Sequence, residues 1–115
     1  MRWTSYTKGI FAEYCAAVLL LLKGYRILAR RYKTPWGEID LVAKRGKMLV
    51  FVEVKRRRTL LSGLDAITPH QQGRIENAGQ MYLASSRLNT NSLRLDVIVV
   101  TPWWVHHLKD AWRVA

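Results

Sequence analysis

The chain has 115 residues, half of them hydrophobic, which suits a single domain spanning 1–115, and its one cysteine, Cys15, excludes an internal disulfide framework. The net charge of +11 is concentrated: residues 1–58 carry fourteen Lys/Arg against four Asp/Glu, and residues 59–115 carry five against four. So basic a first half points to a polyanionic partner, nucleic acid before an anionic membrane, with a solvated basic surface as the plain alternative.

Residues 8–23 read as a helix, rich in Ala and Leu, free of Pro and ended by Gly24. Apolar residues nearly encircle its second half, which predicts burial on most sides. Glu13 interrupts the apolar stretch, which falls short of the ~20 residues of a membrane span. No small-residue cleavage site follows before Gly24-Tyr25-Arg26, so a buried helix is read rather than a signal peptide. Residues 25–33 form a basic extended strand, broken by Thr34-Pro35-Trp36-Gly37. Residues 38–43 and 48–55 are strands joined by the hairpin turn Lys44-Arg45-Gly46-Lys47. Residues 59–69 are a loop, 70–86 a second helix, 93–101 a strand stopped by Pro102, and 103–108 a final edge strand. The tail at Ala111-Trp112 packs back. This order gives an α/β class, a sheet flanked by helices.

The segment Val50-Phe51-Val52-Glu53-Val54-Lys55 is the most strand-like of the chain, yet it carries a carboxylate and an ammonium. A hairpin symmetric about Arg45-Gly46 pairs Val42 with Leu49, Asp40 with Phe51 and Glu38 with Glu53. Side chains alternate with period two, so Glu38, Asp40, Glu53 and Lys55 share one face, with Asp40 diagonal to Glu53 at roughly 7–8 Å. Like charges across a sheet are destabilising, and a divalent cation removes the conflict. Oxygen ligands suit Mg²⁺ or Mn²⁺, with the Val54 carbonyl as a further donor. Lys55 on the same face can hold an attacking water or offset charge growing on a phosphate. The pattern therefore predicts metal-assisted phosphodiester hydrolysis. The simple alternative is an exposed strand end, with Arg56-Arg57-Arg58 neutralising Glu38 and Glu53.

Ala12-Glu13, Gly24-Tyr25-Arg26-Ile27-Leu28-Ala29-Arg30, Gly37-Glu38-Ile39-Asp40-Leu41-Val42, the Val50–Lys55 block and Arg94-Leu95-Asp96-Val97 together resemble the bacterial YraN-type family. That family is related to Holliday-junction resolvases and is similar to the PD-(D/E)xK nuclease superfamily. The resemblance implies a restriction-endonuclease-like core, a central mixed β-sheet flanked by α-helices, and a Mg²⁺-dependent endonuclease. It makes Asp40, Glu53 and Lys55 the motif residues and brings Glu13 to the metal, with Glu38 in the same block. Similar proteins carry a basic residue where this chain has Gln71 and Gln72, which are read as contacts to the site or to DNA.

Arg30, Arg31, Lys33, Arg56, Arg57 and Arg58 are the leading phosphate contacts. Trp36 is read as capping the core rather than stacking on a base, and Trp103-Trp104 as covering a sheet edge or an oligomer contact. His106 and His107 face opposite sides, and no Cys/His spacing supports zinc. The leading reading is a cytoplasmic endonuclease acting on DNA, branched forms included, with no membrane partner. A junction-resolving role requires two active sites and hence a homodimer. The alternatives are a non-catalytic nucleic-acid-binding module on the same fold, or a basic interaction protein with surface-paired charges.

Overall fold

In the computed structural model, which describes residues 5–88, 90 and 92–113, a five-stranded mixed sheet lies between helices. Helix α1 (Ser5–Leu22) is followed by strands β1 (Arg26–Thr34), β2 (Gly37–Arg45) and β3 (Met48–Arg56). Helices α2 (Leu60–Asp65) and α3 (Pro69–Ser85) precede β4 (Ser92–Val100) and β5 (Val105–Leu108). The sheet order is β1-β2-β3-β4-β5. Among the described strands only β3 and β4 run parallel. A parallel pair needs a crossover, and α2 with α3 supply it. The architecture is compatible with a restriction-endonuclease-like core.

The central strand β3 shows why its sequence is apolar in a row: both faces are covered. Val50 and Val52 pack with Leu41, Ala43, Ile98 and the Ala12, Ala16 and Leu20 stripe of α1. Leu49 and Phe51 face the other way, onto Ile75 and Ala78 of α3 with Val42 and Leu95. A smaller cluster of Ile67, Val97 and Val99 sits under α2, where Trp112 of the tail packs back as expected. Helix α1 ends in a 6→1 bond from the Tyr25 N–H to the Leu20 carbonyl, 2.9 Å, across Gly24.

Several sequence expectations need correction. The second half of α1 is not buried all round: Val18, Leu21 and Leu22 are exposed, because only one stripe meets the sheet. The stretch after β3 is not all loop. Thr59 caps a short helix by accepting the Ser62 N–H at 3.1 Å. Neither Trp36 nor Trp103 and Trp104 cover the core or a sheet edge; all three are exposed. The hairpin centre also lies one residue later. Arg45 pairs with Met48 and Val42 with Phe51, so the turn is Gly46-Lys47. Gly46, at φ 61°, takes the first central position, as a type II′ turn requires. Moving the centre by one shifts each partner by two, so side-chain parity is preserved. Continued past its last pair, Leu41↔Val52, the ladder would set Asp40 across from Glu53 and Glu38 across from Lys55.

Gly37 opens β2 directly against α3. A Cβ built there would lie 1.9 Å from the Arg74 carbonyl oxygen, backbone against backbone. Gly37→Ala is therefore expected to destabilise the fold by about 1–3 kcal/mol, since one element must shift. The midpoint of urea unfolding checks it.

Candidate metal and phosphate site

The β2–β3 ladder stops at Leu41↔Val52, and the strands part there. The Val54 N–H, which no longer faces a strand, donates to Asp40 Oδ2 at 2.8 Å. This bond fixes the Asp40 carboxylate in the opening. Glu53, from the neighbouring strand, turns into the same opening and is only 8% exposed. The plain alternative of an exposed strand end is thus excluded for Glu53. Nor does any ion pair among the described residues join Arg56, Arg57 or Arg58 to Glu38 or Glu53.

Burial, then the hydrogen bond to Asp40 and its charge, push the Glu53 carboxyl up to about 9; Lys55 opposes this and Glu38 adds to it. A group at that value holds its proton at neutral pH. Lys55 is half-buried. With the Gln71 amide oriented to satisfy both neighbours, its oxygen accepts from Lys55 Nζ at 3.0 Å and its nitrogen donates to the Ala66 carbonyl at 2.9 Å. Gln71 is itself placed by the start of α3, where Thr68 caps the Gln71 N–H at 3.2 Å and Pro69 opens the first turn.

These groups line a cavity of ≈ 200 Å³ together with Glu13, Glu38, Arg56 and Arg74. Because the sheet splays here, α1 reaches the cavity from one layer and α3 from the other. Glu13 accepts from Arg31 Nε at 2.9 Å, and Arg31 sits at φ 53° inside β1. An adjoining cavity of ≈ 250 Å³ is bounded by Arg31, Lys33, Glu13, Glu38 and Asp40.

The expected residues thus separate. Asp40, Glu53, Val54, Lys55 and Gln71 come together, with Glu13 and Glu38 on the rim. Gln72 is outside the cavity lining, and Arg30 lies over the Tyr14 ring, 5.1 Å from its centroid. Arg57 and Arg58 are exposed beside the site rather than in it. Among the described residues no three Asp, Glu, His or Cys side chains gather closely enough to hold a metal by themselves, while Glu13, Glu38, Asp40 and Glu53 all line the one cavity. Arg74 was not foreseen. The helical spacing from Gln71, one turn on, places it on the same side.

A profile of the uncharacterised protein family UPF0102 matches residues 12–100. A UPF0102 protein of Mesorhizobium japonicum is 46% identical over 112 residues, covering 96% of this chain and 90% of its own length. Others from Sinorhizobium medicae and Parvibaculum lavamentivorans are 45% and 47% identical, covering 96% and 95% of this chain and 93% and 84% of their own lengths.

Proposed function

We propose, from the premise that the chain belongs to the uncharacterised protein family UPF0102, that it is a metal-dependent endonuclease-like protein of the cytoplasm that hydrolyses DNA phosphodiesters, branched DNA included. The observation that carries the reading is the buried Glu53 held against Asp40 beside Lys55, in a cavity also edged by Arg56 and Arg74. A core that needed only stability would not place two carboxyls and an ammonium here.

The donor set fits a hard divalent cation. It is made of oxygen alone, and two carboxyls turned into one opening are what a double positive charge relieves. Asp40, Glu53 and the Val54 carbonyl would hold Mg²⁺ or Mn²⁺, with Glu13 and Glu38 near enough to assist through water. When bound, the ion would supply Lewis-acid stabilisation to a phosphoryl oxygen. The chain's own residues do the rest. The Val54 N–H orients Asp40. Gln71 holds Lys55 by its ammonium, where it can align an attacking water and offset negative charge on the phosphate. Arg56 and Arg74 at the rim, and Arg30, Arg31, Lys33, Arg57 and Arg58 around it, supply positive charge along the backbone of the substrate. Resolving a four-way junction would take two copies of the chain.

A second reading, a nucleic-acid-binding module without cleavage, draws on the fact that among the described residues no three acidic side chains gather closely enough to hold a metal by themselves. The test is incubation with branched and linear DNA and Mg²⁺ or Mn²⁺. Cleavage that is lost on chelation and in Asp40→Ala, while binding persists, supports the enzyme. Binding by the wild type with no cleavage under either metal defeats it in favour of the module, and no affinity even at low salt defeats both.

A further inference from the structure

The turn between β4 and β5 is hydrogen-bonded across its ends and carries two exposed tryptophans. The Thr101 N–H donates to the Trp104 carbonyl at 2.9 Å, and Thr101 Oγ1 accepts the Trp104 N–H at 3.1 Å. Trp103 is 86% exposed and Trp104 70% exposed. Neither ring pairs with another aromatic ring among the described residues. Indoles normally contribute most by burial, so two left outside on a pinned turn form a surface prepared for contact.

The turn edges a cleft of ≈ 570 Å³ lined by Lys8, Arg56, Arg57 and Arg58 with Phe11 and residues 100–102. Among the described residues no acidic side chain lines it. The Arg57 N–H donates to the Val100 carbonyl at 3.1 Å, which ties the arginine run to the end of β4 just ahead of the turn. Arg56 borders both this cleft and the carboxylate cavity. The two cavities therefore share Arg56, and the cationic cleft reaches Thr101 and Pro102, next in the chain to the two exposed indoles.

We propose that this cleft, with Trp103 and Trp104, binds an unpaired segment of nucleic acid, its bases stacking on the indoles and its phosphates on Arg56, Arg57 and Arg58. The proposal rests on the nuclease-like reading and narrows its substrate to DNA with single-stranded character next to the scissile phosphate. The interior bases of a duplex have both faces covered by their neighbours, so the indoles favour strands whose bases are free to stack. Arginine alone does not discriminate in this way, because phosphates are common to both forms. An anionic membrane would also be attracted to Arg and Trp. It would not explain a cationic cleft that shares Arg56 with the carboxylate cavity.

The test uses the full chain with chelator present, so that binding is read without cleavage. Labelled oligothymidylate and a blunt duplex are titrated against the wild type and the double variant Trp103→Ala/Trp104→Ala by fluorescence anisotropy. The variant is expected to lose single-strand affinity by about tenfold or more and to change duplex affinity by less than about threefold. Trp103→Phe/Trp104→Phe is expected to restore most of the loss, which a merely structural role would not produce. Circular dichroism confirms folding of each variant. Equal losses on both DNAs, or none, overturn the proposal. So does a shift of tryptophan emission with anionic phosphatidylglycerol vesicles and none with oligothymidylate. Failure of the nuclease-like reading shows separately, as a wild type that binds but never cleaves with metal added.

Discussion

Glu53→Gln is expected to lower DNA cleavage by about two orders of magnitude or more and, in the same protein, to raise the stability of the metal-free fold. Both effects have one origin. Burial and the neighbouring Asp40 raise the Glu53 carboxyl from 4.5 to about 9. Its folded value lies above its unfolded value, so the group favours the fold most below pH 4.5, where both states hold the proton. Stability then falls as pH rises from 4.5 to about 9, because the unfolded chain releases the proton and the folded one keeps it. At pH 7 this costs about 3 kcal/mol. Glutamine keeps the shape and can still donate to Asp40, but it has no proton to lose. Its stability should therefore be flatter across that window and higher at neutral pH, read from urea midpoints at several pH values without metal. Mn²⁺ should raise the wild-type melting temperature and leave the variant's nearly unchanged. A variant less stable than the wild type at pH 8 would show that Glu53 is not under this strain.

Asp96→Ala carries the largest expected loss of stability, about 3–5 kcal/mol. Asp96 is 0% exposed and sits at the meeting point of four segments. Arg94 donates to both of its oxygens at 2.8 Å, and the Asp110 N–H donates to Oδ1 at 2.9 Å. His107 Nε2 stands 2.7 Å from Oδ2, while the Lys23 ammonium lies 2.8 Å from His107 Nδ1. An ammonium only donates, so Nδ1 accepts and the imidazole proton sits on Nε2, facing Asp96. Burial alone would push the Asp96 carboxyl up. The bonds from His107, Arg94 and Asp110 outweigh it and hold the group below 3.8. A lowered carboxylate stabilises the fold above its unfolded value and loses that contribution as pH falls through its folded value. The wild type should therefore lose stability below about pH 3.8, and the variant should show less of that acid loss. Removing the carboxylate strands Arg94, whose own value Asp96 raises. Asp96→Asn keeps some of the contacts and should cost less, about 1–3 kcal/mol. Equal midpoints for wild type and alanine variant would refute the account.

The site was legible in the sequence to the extent that it depends on side-chain parity. Glu38, Asp40, Glu53 and Lys55 fall on one side under either turn centre, since period two is indifferent to a shift by two. The actual pairing follows from turn chemistry: a two-residue hairpin turn needs positive φ at its first central residue, which glycine takes in Gly46-Lys47 and an arginine would have to take in Arg45-Gly46. The burial of Asp96 was not legible: of its partners only Arg94 is local, while His107 and the Asp110 N–H lie 11 and 14 residues further on. Helix α1 erred the other way. Its apolar second half suggested burial all round, while small residues Ala12 and Ala16 select the single stripe that meets the sheet. Short α2 escaped because six residues containing Ser and Gly carry little periodicity.

The Asp96 hub also bears on the order in which the chain can fold. Lys23 and Tyr25 emerge early from the ribosome, Asp96 late, and His107 and Asp110 later still. Until β5 docks, placing β4 in the sheet would bury a charge with half its partners missing. The bonds from Lys23 to His107 and from Arg94 to Tyr25 span most of the chain and close slowly, so a nascent chain that lacks β5 should stay open along that edge.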